Sequence, residues 1–273
     1  MPSRDDATGT WHFGLIARWW AEFNEPDPAE VAYLTAAIRR YGEPALDLGC
    51  GNGRILLPLL QAGLDVDGVD VSEDMIALAR GAAERAGFNP GLIAQAKQDL
   101  DLQRRYGTIF MVGVFEIGGN RAWDREGLRR AFDHLVPGGT LLINHELPYS
   151  GLEADRWARW LPTRSVSYPE PWRETGDRRR LADGDELELV ARRVAFDSLA
   201  QRETLEMRAR LWRDGVVVRE ETSRLDESLY FAQEIVALLE ATGFDGVDIE
   251  SGYAGTPADP DDPIVMFVAH RPA

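Results

Sequence analysis

The stretch ALDLGCGNGR, residues 45–54, decides how this chain is read. Residues 45–48 form a short apolar strand, Gly49, Gly51 and Gly53 a turn, and residues 55–61 an apolar helix with Pro58 in its first turns. Glycines between a strand and a helix let the backbone approach a ligand closely, so a cofactor belongs at this turn. The next strand, residues 66–71, carries Asp70 near its end, an acid positioned to accept hydrogen bonds from ribose hydroxyls. Both features suit an adenosine ligand.

Downstream, Ser72 caps a helix over 73–86, and residues 92–96 read as a third strand. Residues 108–115 are a near-continuous apolar run, as a strand buried on both faces would be. A helix over 125–135 comes next, and Pro137, Gly138 and Gly139 turn the chain into a strand over 140–144. Upstream, residues 11–41 read as two helices separated at Pro26 and Pro28. This alternation predicts an α/β fold with a parallel, doubly wound sheet.

After Tyr149 the pattern changes. Leu205, Met207, Ala209 and Leu211 alternate with Glu206, Arg208 and Arg210, the period of a strand with one apolar and one charged face. Asp214 and Gly215 turn it back into residues 216–222, and 186–196 is a third strand, so an antiparallel layer is expected within 150–226. The doubly wound pattern resumes with a helix over 232–242, stopped by Gly243, and strands over 244–250 and 264–270. The expectation is a single domain, 1–273, with 1–42 as an N-terminal helical lid and 150–226 as the inserted layer.

Thirty Lys plus Arg against forty-six Asp plus Glu give a net charge of −16, which opposes a nucleic-acid or anionic-membrane partner. The single cysteine, Cys50, allows no intrachain disulfide, and residues 1–10 lack the apolar core of a signal peptide, so a cytoplasmic location is expected. No stretch approaches the ~18 apolar residues of a membrane span. His12, His134, His145 and His270 are scattered without zinc-site spacing, so no metal is expected.

Two cofactors compete for the glycine turn. The dinucleotide fingerprint wants Gly or Ala three residues after Gly51, where this chain has Arg54, and Asp47 would repel a pyrophosphate. S-adenosylmethionine carries an ammonium and a sulfonium, which an acid beside the glycines favours. At this point the chain resembles the class I S-adenosylmethionine-dependent methyltransferases. The resemblance runs through ALDLGCGNGR, VDGVDVSEDM, QDL and LVPGGTLLI over residues 43–144 and resumes at EIVALLEATGF. It implies a Rossmann-like seven-stranded sheet of order 3-2-1-4-5-7-6, the last strand antiparallel, with the inserted layer after strand 5.

It also implies roles for individual residues. Asp47 would reach the methionine ammonium through water, and Gly49 and Gly51 would pass beneath methionine and ribose. Cys50 sits in the same cofactor-binding loop as a small residue that fits it. Asp70 would hold the ribose hydroxyls, Val71 and Met75 would pack on adenine, and Asp99 would accept from its amino group with Leu100 beside it. Phe115 would lie near the methyl group. In similar enzymes the N-terminal region folds over the cofactor. Arg18 would then pair with the methionine carboxylate, and an indole of Trp11, Trp19 or Trp20 would lie near the sulfonium. The competing reading is that these tryptophans staple a helix to the core.

Methyl transfer needs in-line positioning and, for some acceptors, a base. His145, just past strand 5, is the first candidate base and Glu116 the second, His145 having also a purely structural reading as a strand cap. Trp157, Trp160, Tyr168, Trp172 and the run Arg178, Arg179, Arg180 are candidates to line a small-molecule pocket, although such a run reads first as a solvated loop. The expected activity is transfer of a methyl group from S-adenosylmethionine to a small-molecule acceptor, leaving S-adenosylhomocysteine. Oxygen, nitrogen and carbon acceptors stay open, as do a homodimer through the added strands, a nicotinamide-dependent oxidoreductase and a non-catalytic adenosyl-binding protein.

Overall fold

The computed structural model describes residues 9–147 and 167–273. In chain order the elements are α1 (Gly14–Phe23), α2 (Pro28–Tyr41), β1 (Ala45–Leu48), α3 (Leu56–Gln61), β2 (Val66–Asp70), α4 (Glu73–Arg85), β3 (Leu92–Ala94), a 3-10 turn (Lys97–Asp99), β4 (Tyr106–Met111), α5 (Arg121–His134) and β5 (Leu135–Glu146). They continue with β6 (Asp177–Arg180), β7 (Glu186–Asp197), β8 (Arg202–Arg213), β9 (Val216–Ser228), α6 (Ala232–Thr242), β10 (Asp245–Ser251) and β11 (Ile264–His270). One sheet has seven strands in the order β10-β11-β5-β4-β1-β2-β3, and a second has the order β6-β7-β8-β9. β11 runs antiparallel to β5, whereas β4, β1, β2 and β3 are parallel. This is the expected sheet, its seventh strand in place between the fifth and the sixth.

The strand pleat sorts the core into two layers. Leu46, Leu48, Ile109, Met111, Leu141, Ile143 and Phe267 face α5 and α6, whose Leu128, Ile235 and Leu239 cover them. Ala45, Phe110, Leu142, Met266 and Val268 face the other way, onto Leu34 and Ile38 of α2, Leu56 and Leu59 of α3, and Ile76 of α4. With helices on both faces, every residue of β4 is buried, which explains its near-continuous apolar sequence.

Four boundaries depart from the sequence pattern. β4 ends at Met111, four residues before Phe115, because the chain leaves the sheet at Gly113 (φ +65°). Helix α5 begins at Arg121, since the Asn120 side chain accepts from the Ala122 and Trp123 amides and caps it there. Pro137, Gly138 and Gly139 make an irregularity inside β5, which already pairs at Leu135. Arg178, Arg179 and Arg180, read as a solvated loop, form the edge strand β6. All three are exposed, with Arg178 over the Trp212 ring and Arg179 over the Trp19 ring.

The antiparallel sheet buries its apolar face against helix α1. Leu187, Leu189, Met207, Ala209, Leu211 and Leu225 close on Trp11, Leu15, Ile16 and Trp19, so these two tryptophans staple a helix. At the start of β9, Val216, Val217 and Val218 are exposed. The sheet is stitched to the parallel core through the loop after β4. Gly118 N donates to Asp226 O at 2.8 Å, Ser228 N donates to Glu116 O at 2.9 Å, and Ile117 bridges to Glu227.

That loop hangs on one ammonium. Buried Lys97 pairs with the buried Asp124 at 2.8 Å and donates to the carbonyls of Phe115 (2.5 Å) and Ile117 (2.7 Å). Asp124 accepts in turn from the Tyr230 hydroxyl at 2.7 Å. Removing the ammonium strands a buried carboxylate and several carbonyls. Lys97→Met is therefore expected to cost about 3–5 kcal/mol in urea unfolding; a loss below about 1 kcal/mol would show that the pair does not carry the loop.

Candidate functional site

The carboxyl ends of β1, β2 and β4 open onto a cavity of about 610 Å³, a size usual for small-molecule sites. Its floor is the glycine turn. Gly49 (φ +99°) lies so close to Val114 that an added Cβ would fall 2.2 Å from its side chain. Gly51 (φ +53°) has nothing within 4 Å of that position, so its backbone faces open space. Asp70 holds the turn: one carboxylate oxygen accepts from Gly51 N at 2.9 Å, the other from Ser72 N at 2.8 Å.

Asp47 is 2% exposed, lines the cavity, and its Oδ2 has no hydrogen-bond partner. Burial pushes its carboxyl well above the usual range. Arg54 opposes this, and the nearby carboxylates of Asp70 and Glu30 add to it. Asp70 is likewise raised by burial, with the Ser72 and Gly51 amides pulling it down. A buried acid that has no donor is costly unless a ligand supplies one. The turn thus presents an unanswered carboxylate beside an open backbone, and it suits a ligand with a cationic or donor group there.

Cys50, Val71, Met75 and Asp99 also line this cavity. Leu100 and Phe115 do not. Both are fully buried in the core beneath, Phe115 against Tyr230 at 5.2 Å, because the chain turns at Gly113 and brings Val112, Val114 and Ile117 to the cavity instead. Arg18 does not reach it either: its guanidinium pairs with Asp183 (2.8 Å) and Glu22 (3.3 Å). Two residues on, at about 100° per residue, Trp20 takes the opposite side of α1 and does line the cavity.

His145 and Glu116 are in a different place. They line a second cavity of about 280 Å³, between the loop after β4, the end of β5 and the antiparallel sheet. Neither touches the glycine turn's cavity, which Asn144 and Ile117, their chain neighbours, line instead. The His145 ring is buried, with Nε2 3.0 Å from Tyr230 O and Nδ1 3.9 Å from Glu116 Oε2. Burial lowers its pKa, but the Glu116 carboxylate outweighs that and the net direction is up. Tyr168 lines the same cavity, Trp172 stacks with Arg192 and Arg208, and Trp157 and Trp160 lie outside the described residues.

Other residues of the first cavity carry no motif. Glu30 of α2 pairs with Arg54 and accepts from the Tyr253 hydroxyl at 2.8 Å, and Asn144 donates to that hydroxyl at 3.1 Å. His12 bonds Thr10 and is pushed down to about 4 by burial, which keeps its imidazole neutral. α1 is tied over the opening: Gly14 N donates to Asp74 at 2.8 Å, Asn52 to Trp20 O at 3.0 Å, and Ser72 Oγ to His12 O at 2.5 Å. The signal available for His12 and Trp20 was their aromatic clustering. Tyr253 lies in the β10–β11 connection and had none.

Residues 45–139 match the family model described as a methyltransferase domain. A ubiquinone biosynthesis O-methyltransferase of Nitrobacter winogradskyi is 28% identical over 172 residues, 54% of this chain and 65% of that protein, so the matched part falls just short of two thirds of the relative's length. Among solved structures, an S-adenosylmethionine-dependent methyltransferase from Clostridium acetobutylicum superposes with a TM-score of 0.70 at 14% identity, covering 94% of this chain and 98% of the other. A sugar N-methyltransferase from Streptoalloteichus sp does so with a TM-score of 0.70 at 20% identity, covering 100% and 97%. Those two likenesses are of fold. Residues 45–139, which hold the glycine turn and the acid closing β2, thus match a methyltransferase domain, and the chain has the fold of S-adenosylmethionine-dependent methyltransferases.

Proposed function

We propose that the chain transfers the methyl group of S-adenosylmethionine to a small-molecule acceptor, with S-adenosylhomocysteine as the second product. The observation that carries this reading is the buried, unpartnered carboxylate of Asp47 beside the open backbone of Gly51. When bound, S-adenosylmethionine supplies a methyl on a sulfonium, already a good leaving group. Asp47 answers the methionine ammonium, and the spare lone pairs of Asp70 receive the ribose hydroxyls. Val71 and Met75 offer an apolar surface to adenine and Asp99 an acceptor for its amino group. α1 excludes water from above, since His12 and Trp20 both line the cavity.

In this reading the chain works as one unit, residues 1–42 acting as the lid and 150–226 as the acceptor-side layer. A cytoplasmic setting goes with it, Cys50 being a free thiol buried in the loop. Among the described residues no helix is long and apolar enough to cross a membrane. A homodimer would use the exposed Val216, Val217 and Val218 of β9.

Titration calorimetry with S-adenosylmethionine, S-adenosylhomocysteine and NAD tests the reading. Both adenosyl compounds are expected to bind and NAD is not; tighter binding of NAD would overturn it. Asp70→Ala should weaken adenosyl binding by about 1.5–3 kcal/mol in a variant whose circular dichroism is unchanged, the range for hydrogen bonds to a charged group.

Asp47 gives a pH test. Its carboxyl is raised in the free protein, and an ammonium beside it favours the ionised form, so binding expels a proton and affinity falls as the pH drops below the raised pKa. The binding enthalpy of S-adenosylhomocysteine should therefore depend on the ionisation enthalpy of the buffer. In Asp47→Asn this dependence should vanish and affinity should fall.

A further inference from the structure

The seam between the two sheets closes on a pair of facing acids. Glu203 of β8 and Glu227 of β9 stand directly opposite each other in the antiparallel ladder, two residues along from Leu205 and Leu225 and so on the same face as that pair. It is the inward face, since Leu225 is buried in the core that α1 covers. Acids opposed in this way repel each other when both are ionised. One of the two is answered, because Arg193 of β7 pairs with Glu203 at 2.8 Å. His145 of β5, the other basic residue lining the same cavity, faces Glu116 of the loop after β4. Glu227 is left to keep its proton.

The surroundings act in that direction. Burial and the carboxylates of Glu203 and Glu116 push the Glu227 carboxyl up to about 8, with Arg193 opposing them and Glu146 of β5 adding to them. Tyr168 and Tyr230 are the other titratable groups of the described lining, and the Tyr230 hydroxyl is engaged by Asp124. Glu227 also stands in the seam itself. It bridges to Ile117, while beside it Gly118 N donates to Asp226 O at 2.8 Å and Ser228 N to Glu116 O at 2.9 Å. A protonated Glu227 fits this closed seam. An ionised one carries a charge that needs water, and parting the loop from β9 lets water reach it.

We infer that Glu227 is a proton-held latch between the loop after β4 and β9, closed while the carboxyl keeps its proton and loosened when the proton is lost. The folded chain holds this proton more tightly than an unfolded one, so the contribution of the latch to stability drains away as the pH rises from the ordinary carboxylate range to about 8. In the native state the latch opens as the pH passes that value. It acts on the first cavity through Ile117, which lines it. Only this last consequence rests on the methyl-transfer reading, since its probe is an adenosyl compound.

Amide hydrogen exchange of the full chain between about pH 6.5 and 9.5, corrected for the intrinsic base-catalysed rate, reads the seam directly. Protection of the Gly118 and Ser228 amides is expected to fall about tenfold or more across this range in the parent and to hold in Glu227→Gln, which keeps the shape of the protonated acid. That variant retains His145, so a loss caused by the titration of the histidine would persist in it. If Glu227→Gln does not fold, Glu203→Gln decides: it frees Arg193 to answer Glu227, and protection should hold there too. Unchanged protection in the parent, or an equal fall in the folded variant, would overturn the latch. Calorimetry then checks the link to the first cavity. From about pH 7.5 to 9 the parent should lose about threefold more affinity for S-adenosylhomocysteine than Glu227→Gln does, and equal losses would overturn that link. Absence of S-adenosylhomocysteine binding at every pH would overturn the methyl-transfer reading and leave the latch to the exchange result.

Discussion

The buried ammonium of Lys97 is the constraint on which the functional half of the molecule depends. An ammonium out of water must be answered on all its donors, and here one carboxylate and the carbonyls of a single loop answer it. The loop after β4 is therefore bent around a point charge instead of continuing the sheet. Everything that gathers near the carboxyl ends of the strands inherits that bend. Val114 is brought over Gly49, Ile117 into the first cavity, and Glu116 into the second.

A second consequence is that the two sheets cannot shift independently. The loop pairs with β9 through Glu116, Ile117 and Gly118, and α1 sits between the layers with a carboxylate from each on its first amides. Asp74 of α4 takes Gly14 N and Glu221 of β9 takes Leu15 N, both at 2.8 Å. Negative groups are favourable at a helix N-terminus, so the helix is anchored by electrostatics as well as by Trp11 and Trp19. Gly14 is required there, since a Cβ would fall 2.5 Å from the Glu221 carboxylate.

What was legible in the sequence was what local pattern encodes. The pleat shows in β8 as alternating Leu205, Met207, Ala209 and Leu211, and the parallel core shows in the near-continuous apolar run of β4. The glycine turn and Asp70 were legible because close backbone approach needs glycine and the amides of such a turn need an acceptor at the end of the next strand. Phe115, Leu100 and Arg18 lie away from the first cavity and His145 lines the second for one reason: which way a side chain points after a strand or along a helix depends on long-range contacts. The turn at Gly113 exists because the Lys97 ammonium, from an earlier turn of the chain, holds the carbonyls of Phe115 and Ile117. Arg18 faces Asp183, a partner 165 residues away that no local pattern announces. Tyr253 and Glu30 meet over 223 residues of chain.

The electrostatics of the first cavity bear on its ligand more firmly than the spacing of the glycines does. Asp47, Asp70, Glu30 and Asp99 line it together with two long cations, Arg54 and Lys97. Neither cation is available. Arg54 is committed to Glu30, and Lys97 to Asp124 and the loop carbonyls. His12, the histidine among these lining residues, stays neutral because burial holds its pKa down. A dinucleotide would bring its pyrophosphate to a turn whose nearest acid is unpaired, with no uncommitted cation among the described lining residues to receive it. A ligand that is cationic at the methionine end meets the opposite condition, with Asp47 turned from a buried liability into a counter-ion. Arg54, where the dinucleotide fingerprint would want a small residue, is held by Glu30, and Asp47 Oδ2 keeps no hydrogen-bond partner.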